Sequence, residues 1–300
     1  MTLPDKPNAP PTRRSPSLEN RLPDEGINSS REHPLKEFAW LLFGALVTLA
    51  AVVVLVGWAA KWLAPKVPFA YEVALAQRVL DDKDSDANAP RSAALQALAQ
   101  RVAATMNLPA GMQLVVKFED DKTANAYATI GGRIRVFNGL LQRLPSEDAL
   151  AALLAHEIAH VKHRHVAASM GRGLALSLLL SVVISDAGAA AAQNVLNQAA
   201  GIALLGYSRE QESLADNDAL AAVVALYGHA GGFTQLFNTM TESERNKGPA
   251  FEVLRSHPLT QARIDQARTL AQERGWKMQG PASTMPAALT MPKTDPATRP

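Results

Sequence analysis

The sequence predicts an α+β fold, mainly helical, with a small β-sheet or hairpin and one N-terminal transmembrane helix. Three observations carry this. Phe38 to Ala60 is a 23-residue run without a charge. Two β-rich runs flank the pair Gly131-Gly132. Alanine- and leucine-rich stretches with apolar residues at helical spacing fill most of the remainder.

Bulk composition narrows the classes. At 300 residues and 47% hydrophobic content the chain can bury a core in one or two domains. Its formal charge of +2 gives no electrostatic footprint for nucleic acid, and no basic stripe with interleaved aromatics appears. There is no cysteine, which removes disulfides, thiolate metal sites and a cysteine nucleophile together. Residues 1–37 are polar and carry seven prolines, and 276–300 carry five; both are expected to be disordered tails. The expected organisation is therefore tail 1–37, anchor 38–63, folded domain 69–275 and tail 276–300.

The apolar run comes first. As a helix it is roughly 35 Å long, enough to cross a hydrocarbon core of about 30 Å with some tilt. Trp40 and Trp58 stand near its two ends, where amphipathic rings favour the interface. A cleaved signal peptide fits poorly, because 37 residues precede the run and no small-x-small cleavage site follows it. Arg21, Arg31 and Lys36 on one side nearly balance Lys61, Lys66 and Arg78 on the other. The expectation is a single pass with the N-terminal tail inside and the domain outside. Two later apolar stretches are not read as spans. Residues 173–185 are too short, and 187–207 carry Gln193, Asn194, Asn197 and Gln198, costly to bury in lipid. Together they are expected to form a helical hairpin in or against the protein.

Within the domain, Leu95, Leu98, Val102 and Met106 make a helical stripe, and Met112 to Asp120 reads as a strand. NAYATIGGRIRVFNG reads as a hairpin, since a Gly-Gly loop supplies the positive φ that tight hairpins need. Ser146 is a suitable N-cap for the next segment, with Glu147 and Asp148 in the first turn, and the first glycine is Gly171. A helix of about six turns is expected there.

That helix carries HEIAHVKHRH, with four of the chain's seven histidines. His156 and His160 are i and i+4 and share a face. Imidazoles at that spacing can both reach one zinc ion at roughly 2.0–2.1 Å. Glu157 then lies beside the metal's open position, where it can take a proton from the attacking water. His163 lies two turns from His156, about 10 Å along an unbroken helix, too far to share the ion. A histidine ligand following closely needs a glycine three residues after the second histidine and the ligand three further on; those positions hold His163 and Val166. His165 points away from His156 and reads as a packing or hydrogen-bonding residue. The third ligand is sought in YSREQESLADNDAL, which Ser208 can cap. Glu212 and Asp216 share a face there, so Glu212 can complete a two-histidine, one-glutamate site and Asp216 can accept the free N–H of a ligating histidine. Glu210 is the rival, but its i+4 neighbour is Leu214.

HEIAH, YSREQESLAD, NAYATIGGRIRVFNGLL and SHPLTQARI together resemble the zinc endopeptidases that include the bacterial HtpX and the CAAX prenyl endopeptidases. The resemblance covers about residues 70–272. It implies a zincin-like (gluzincin) catalytic domain and one Zn²⁺ per chain held by His156, His160 and Glu212. It also implies Glu157 as catalytic base and Asp216 behind a ligand. His257, in a turn before Pro258, would be a further catalytic residue. It would either donate to the tetrahedral oxyanion or fill the open metal position at rest, with Tyr207 a second candidate donor. The chain departs from HtpX in having one clear anchor and a weak hairpin after HExxH. That places it nearer envelope members with a largely soluble catalytic domain and argues against a prenylated substrate. The expected function is a membrane-anchored zinc metalloendopeptidase acting on misfolded or exposed membrane and envelope proteins. The expected location is the bacterial inner membrane, single-pass, with the catalytic domain on the periplasmic side. The expected partners are a peptide substrate and the lipid bilayer, with no nucleic acid. Substrate is expected to pair with the hairpin edge at Asn125–Thr129 or Arg133–Phe137. The alternative is a non-catalytic anchored chaperone or assembly factor on the same fold.

Overall fold

In the computed structural model, the residues described are 34–63, 66–80, 88–171, 173, 206–245 and 252–290. The expected hairpin at 173–207 falls almost entirely outside them. Two compact units divide the chain within its first helix, at Thr48 and Leu49. Of the first, the described backbone is residues 34–48 of helix α1 (Pro34–Leu63), where Trp40 and Phe43 meet edge to face. The helix takes in the last four residues of the expected tail, 34–37. Its stretch Leu35–Ala59 has mean hydropathy 2.7, long and apolar enough to cross a membrane.

The second unit is built on a three-stranded sheet. Strands β1 (Val115–Glu119), β2 (Ala126–Thr129) and β3 (Arg133–Phe137) lie in the order β1-β3-β2. The hairpin forms, with β2 and β3 antiparallel, but its turn is the three residues Ile130–Gly132 closed by Thr129 opposite Arg133, not Gly131-Gly132 alone; both glycines take the positive φ the sequence anticipates, 69° and 73°. A Cβ on Gly132 would fall 2.0 Å from the Gln113 carbonyl oxygen, so only glycine fits. β1 pairs with β3 in parallel. Helix α3 (Ala89–Ala103) closes the outer edge of β1: the Gln96 and Ser92 side chains accept from the N–H groups of Val116 and Phe118 at 2.8 and 3.0 Å, and Gln96 donates to the Leu114 carbonyl. The strand at Arg133–Phe137 is thus central and paired on both sides. It cannot be a substrate edge, and that half of the expectation is corrected. β2 is the outer strand, on the side of the helix that carries HEIAH.

A short α4 (Asn138–Leu141) leads to the central helix α5 (Glu147–Lys162). Ser146 caps it, accepting from Ala149 N, as its position suggested. From Asp148 to Val161 every residue is buried, and its alanine faces let α6 (Arg209–Tyr227) and α7 (Gly231–Arg245) pack closely. α6 opens with a Ser208–Gln211 capping box and closes on Gly228 at φ 79°. A short α8 (Val253–Ser256), then α9 (Gln261–Glu273) and α10 (Ala287–Thr290), complete the order.

Two expectations are corrected here. The helix expected to run to Gly171 ends at Lys162, with Arg164 at a left-handed φ of 58° before helical backbone resumes at 165–171. The break is held from outside. The Arg164 guanidinium reaches Glu72 Oε1 at 2.7 Å and the Val67 carbonyl at 3.0 Å, both near the start of α2 (Phe69–Val79). The segment from Trp276, expected as tail, is folded as far as Thr290. Ser283 bonds Glu147 and Asp148 at the start of α5, Ala230 N donates to Lys277 O, and Trp276, Met278, Met285 and Leu289 pack on the core. Scattered apolar side chains and satisfied backbone groups outweigh its proline content.

Candidate metal centre

Three elements converge beside β2. α5 presents His156, Glu157 and His160 over one turn; α6, packed against it, presents Glu212 and Asp216; the turn after α8 brings in His257. All six side chains are buried. His156, His160, Glu212 and His257 each turn one ligand atom to a common point, all within 4.8 Å of one another. Among the described residues this is the one such group.

The spacings suit a cation. His156 Nε2 lies 3.1 Å from His160 Nε2 and 3.1 Å from His257 Nδ1; Glu212 Oε1 lies 2.9 Å from His257 Nδ1 and 3.4 Å from His160 Nε2. A tetrahedral ion with ligands at roughly 2.0–2.1 Å has edges of about 3.3–3.4 Å, within this range. Asp216 Oδ1, 3.0 Å from His156 Nδ1, places the proton of the neutral ring on Nδ1 and leaves Nε2 its lone pair, the form a cation would take up. Without one, burial lowers the His156 pKa, but the Asp216 hydrogen bond and the Glu212 and Asp216 charges outweigh it and raise it overall. Burial lowers the pKa of His160 well below the usual imidazole range, favouring the neutral ring. Burial alone would raise Glu212, but hydrogen bonds from His160 and His257 outweigh it and hold the carboxylate ionised.

Glu157 is held differently. Its Oε2 accepts from the Ala128 N–H of β2 at 2.8 Å, which ties the side chain to the outer strand. Its Oε1 is buried with no hydrogen-bond partner and lies 3.6 Å from His257 Nε2. Burial raises its pKa against the lowering effect of His257 and His156. An unpartnered carboxylate oxygen beside a cation-sized cluster is placed to accept a proton there.

The remaining candidates separate clearly. His163 caps α5 outside the cluster, 3.0 Å from Asp218 Oδ2, which Lys162 also binds. Glu210 is exposed, and Tyr207 stacks on His160 with ring centroids 3.9 Å apart. Two supporting residues stand behind the cluster: His165, which the sequence reads as a packing or hydrogen-bonding residue, and Arg263, to which it gives no role. His165 Nδ1 lies 3.0 Å from His160 Nδ1, brought there by the break at Arg164. Arg263 grips Asp216 with Nε and Nη2 at 2.7 Å each, and its Nη1 lies 2.7 Å from Glu212 Oε2 and donates to the Pro258 carbonyl. Its position six residues after His257, inside SHPLTQARI, was the available signal. One guanidinium thus orders both carboxylates and the His257 turn. Arg263→Ala removes the one guanidinium that both buried carboxylates share. A loss of about 3–5 kcal/mol is expected in denaturant unfolding of the metal-free chain. Arg263→Lys should recover only part of it, since an ammonium cannot make the paired contact. An unchanged midpoint for the alanine variant would refute this role.

A helix carrying His-Glu-x-x-His beside a small sheet, with a carboxylate brought in from a second helix, defines a metallopeptidase of the HExxH class. The chain belongs to peptidase family M48, whose family model matches residues 89–271. It is 32% identical over 146 residues to the mitochondrial metalloendopeptidase OMA1 of Schizosaccharomyces pombe, covering 48% of this chain and 42% of that protein. It is 27% identical over 161 residues to the beta-barrel assembly-enhancing protease of Escherichia coli K12, covering 50% and 32%. A Vibrio cholerae serotype O1 protein provisionally given that latter name is 32% identical over 163 residues, covering 51% and 34%. The matched segment covers 32–42% of these relatives' length.

Proposed function

We propose that this chain is a membrane-anchored zinc metalloendopeptidase that cuts internal peptide bonds in misfolded or exposed membrane and envelope proteins. The observation that carries it is the unpartnered Glu157 Oε1, buried beside the His156, His160, Glu212 and His257 cluster and adjoining an outer strand. His156, His160 and Glu212 are the protein ligands, one ion per chain, and Asp216 fixes the His156 ring. Three nitrogen and oxygen donors of this kind, with no thiolate, suit zinc in a catalytic setting. When bound, the ion supplies a Lewis acid that polarises the scissile carbonyl and acidifies water.

The chain's residues supply the rest. Glu157, anchored at Oε2 by Ala128, takes a proton at Oε1 from the attacking water and passes it to the leaving amine. Because the same carboxylate touches β2, a substrate strand pairing along Asn125–Thr129 would bring its scissile bond to the proton acceptor. His257 Nδ1 stands where a fourth ligand would, which favours filling the open position at rest over oxyanion donation. The apolar span and the relatives named for β-barrel assembly support the envelope location. The proposed arrangement is a single pass of the bacterial inner membrane with the domain on the periplasmic side. An intact Glu157 argues against the anchored-chaperone alternative, which has no use for it.

The full chain in detergent should convert an unfolded protein such as casein to internal fragments, identified by mass spectrometry, and a chelator should stop it. Trimming from the termini alone, or no cleavage with the site filled, would sink the endopeptidase reading.

A further inference from the structure

Helix α2 has two faces of different character. Its inner face seats Ala76 against the hairpin turn, and Glu72, its only carboxylate, reaches Arg164 at 2.7 Å and the Gly131 N–H at 3.3 Å. Its outer face is apolar and bare: Tyr71 is 69% exposed, Val79 45% and Leu75 40%, with exposed Arg78 among them. Helices of a water-facing domain place charges there instead. No acid lies on this face.

What stands next to it in the chain says what covers it. Apolar helix α1 ends at Leu63, α2 begins at Phe69, and Val67 N between them donates to the Leu63 carbonyl at 3.3 Å. The end of α1 carries the side chains of a membrane interface. Trp58 and Trp62 are exposed and stack at 6.5 Å, and Lys66 Nζ sits 3.0 Å over the Trp62 ring. Tyr71, Leu75 and Val79 follow at one-turn intervals. In sequence, residues 81–86 then bring four aspartates and one lysine, a composition an anionic surface repels, which bounds the contact.

We propose that the outer face of α2, centred on Tyr71, Leu75 and Val79, lies in the headgroup layer of the bilayer that α1 enters. This rests on the proposed membrane anchoring. The consequence is mechanical. Through Glu72 and the Val67 carbonyl, α2 is clamped to Arg164 at the end of the catalytic helix. The surface contact therefore holds the metal centre at a set height over the lipid instead of on a loose tether. Substrates would then be polypeptide segments presented close to the membrane surface.

The absence of cysteine makes the test direct. Single-cysteine variants of the full chain, Leu55→Cys in α1, Leu75→Cys in α2 and Glu273→Cys in α9, are labelled with an environment-sensitive fluorophore and reconstituted in phosphatidylcholine–phosphatidylglycerol vesicles. The label at 75 should emit to the blue of that at 273. Headgroup-level nitroxide lipids should quench it severalfold more, and aqueous iodide less. Iodide quenching at 75 equal to that at 273 overturns the proposal. So does protection from iodide without lipid quenching, or protection that varies with protein-to-lipid ratio; those outcomes put another segment or a second copy on the face. If 55 is lipid-quenched and 75 is not, the docking fails and the anchor stands; if 55 is not quenched, the anchoring reading itself fails. Should Leu75→Cys not fold, Tyr71→Cys and Val79→Cys carry the same measurement.

Discussion

Glu157→Gln is expected to abolish peptide hydrolysis while leaving metal bound. The substitution keeps shape and volume, and a glutamine oxygen can still accept the Ala128 N–H that holds the side chain against β2. What it removes is the proton-accepting capacity of the second oxygen, the one buried without a partner. General acid–base groups of this kind contribute about 10²–10⁴-fold. The expected loss in kcat/KM on an unfolded substrate lies in that range or above, because the same carboxylate serves both the attack and the departure of the amine. Glu157 is not one of the four atoms that converge in the cluster, so zinc content per chain should stay at the wild-type value. A glutamine variant that hydrolyses at the wild-type rate would show that the carboxylate is a structural strut for the outer strand. A variant that loses metal and activity together would make Glu157 a ligand.

Glu212→Ala should cost the metal itself. Glu212 supplies the carboxylate of the cluster, and its Oε1 is within 3.4 Å of both His160 Nε2 and His257 Nδ1. Losing a supporting group behind a ligand typically weakens binding roughly 10–100-fold, and losing a ligand should exceed that. Competition with a chromophoric chelator reads the difference. His163→Ala is the matched control. It removes an imidazole from the same ten-residue motif, but one whose partner is Asp218 and whose place is outside the cluster. Its zinc affinity should match the wild type. The opposite ranking would overturn the ligand assignment.

How much of this is legible in the sequence follows from how local each cause is. The i, i+4 spacing of His156 and His160 places both on one face of any helix, and Ser146 marks where that helix starts. The same period pairs Glu212 with Asp216. The Gly131-Gly132 turn needs a backbone conformation that few residues adopt, so the hairpin is visible too. Causes that act across the chain are not. Arg164 ends the central helix because Glu72, 92 residues earlier, binds its guanidinium, and nothing near Arg164 signals a stop. That break swings His165 back against His160, a contact an unbroken helix does not predict. Arg263 stands in a quoted motif, yet its role depends on α9 lying against α6, which periodicity does not report. The parallel pairing of β1 with β3 is likewise a choice of tertiary structure, and it decides which strand is the edge. The segment at 276–290 has the composition of a tail, and the groups that hold it, Asp148 and the open end of α5, Ala230 N and the apolar core, are brought together only by the folded domain.

The most direct measurement of the central claim is a zinc titration of the metal-stripped full chain, with hydrolysis of an unfolded substrate followed at each step. The account predicts no hydrolysis without metal, and a rate that rises linearly and saturates at one zinc per chain. A stripped chain that still cuts at the wild-type rate would contradict it, as would a chain that takes up one zinc and never cuts.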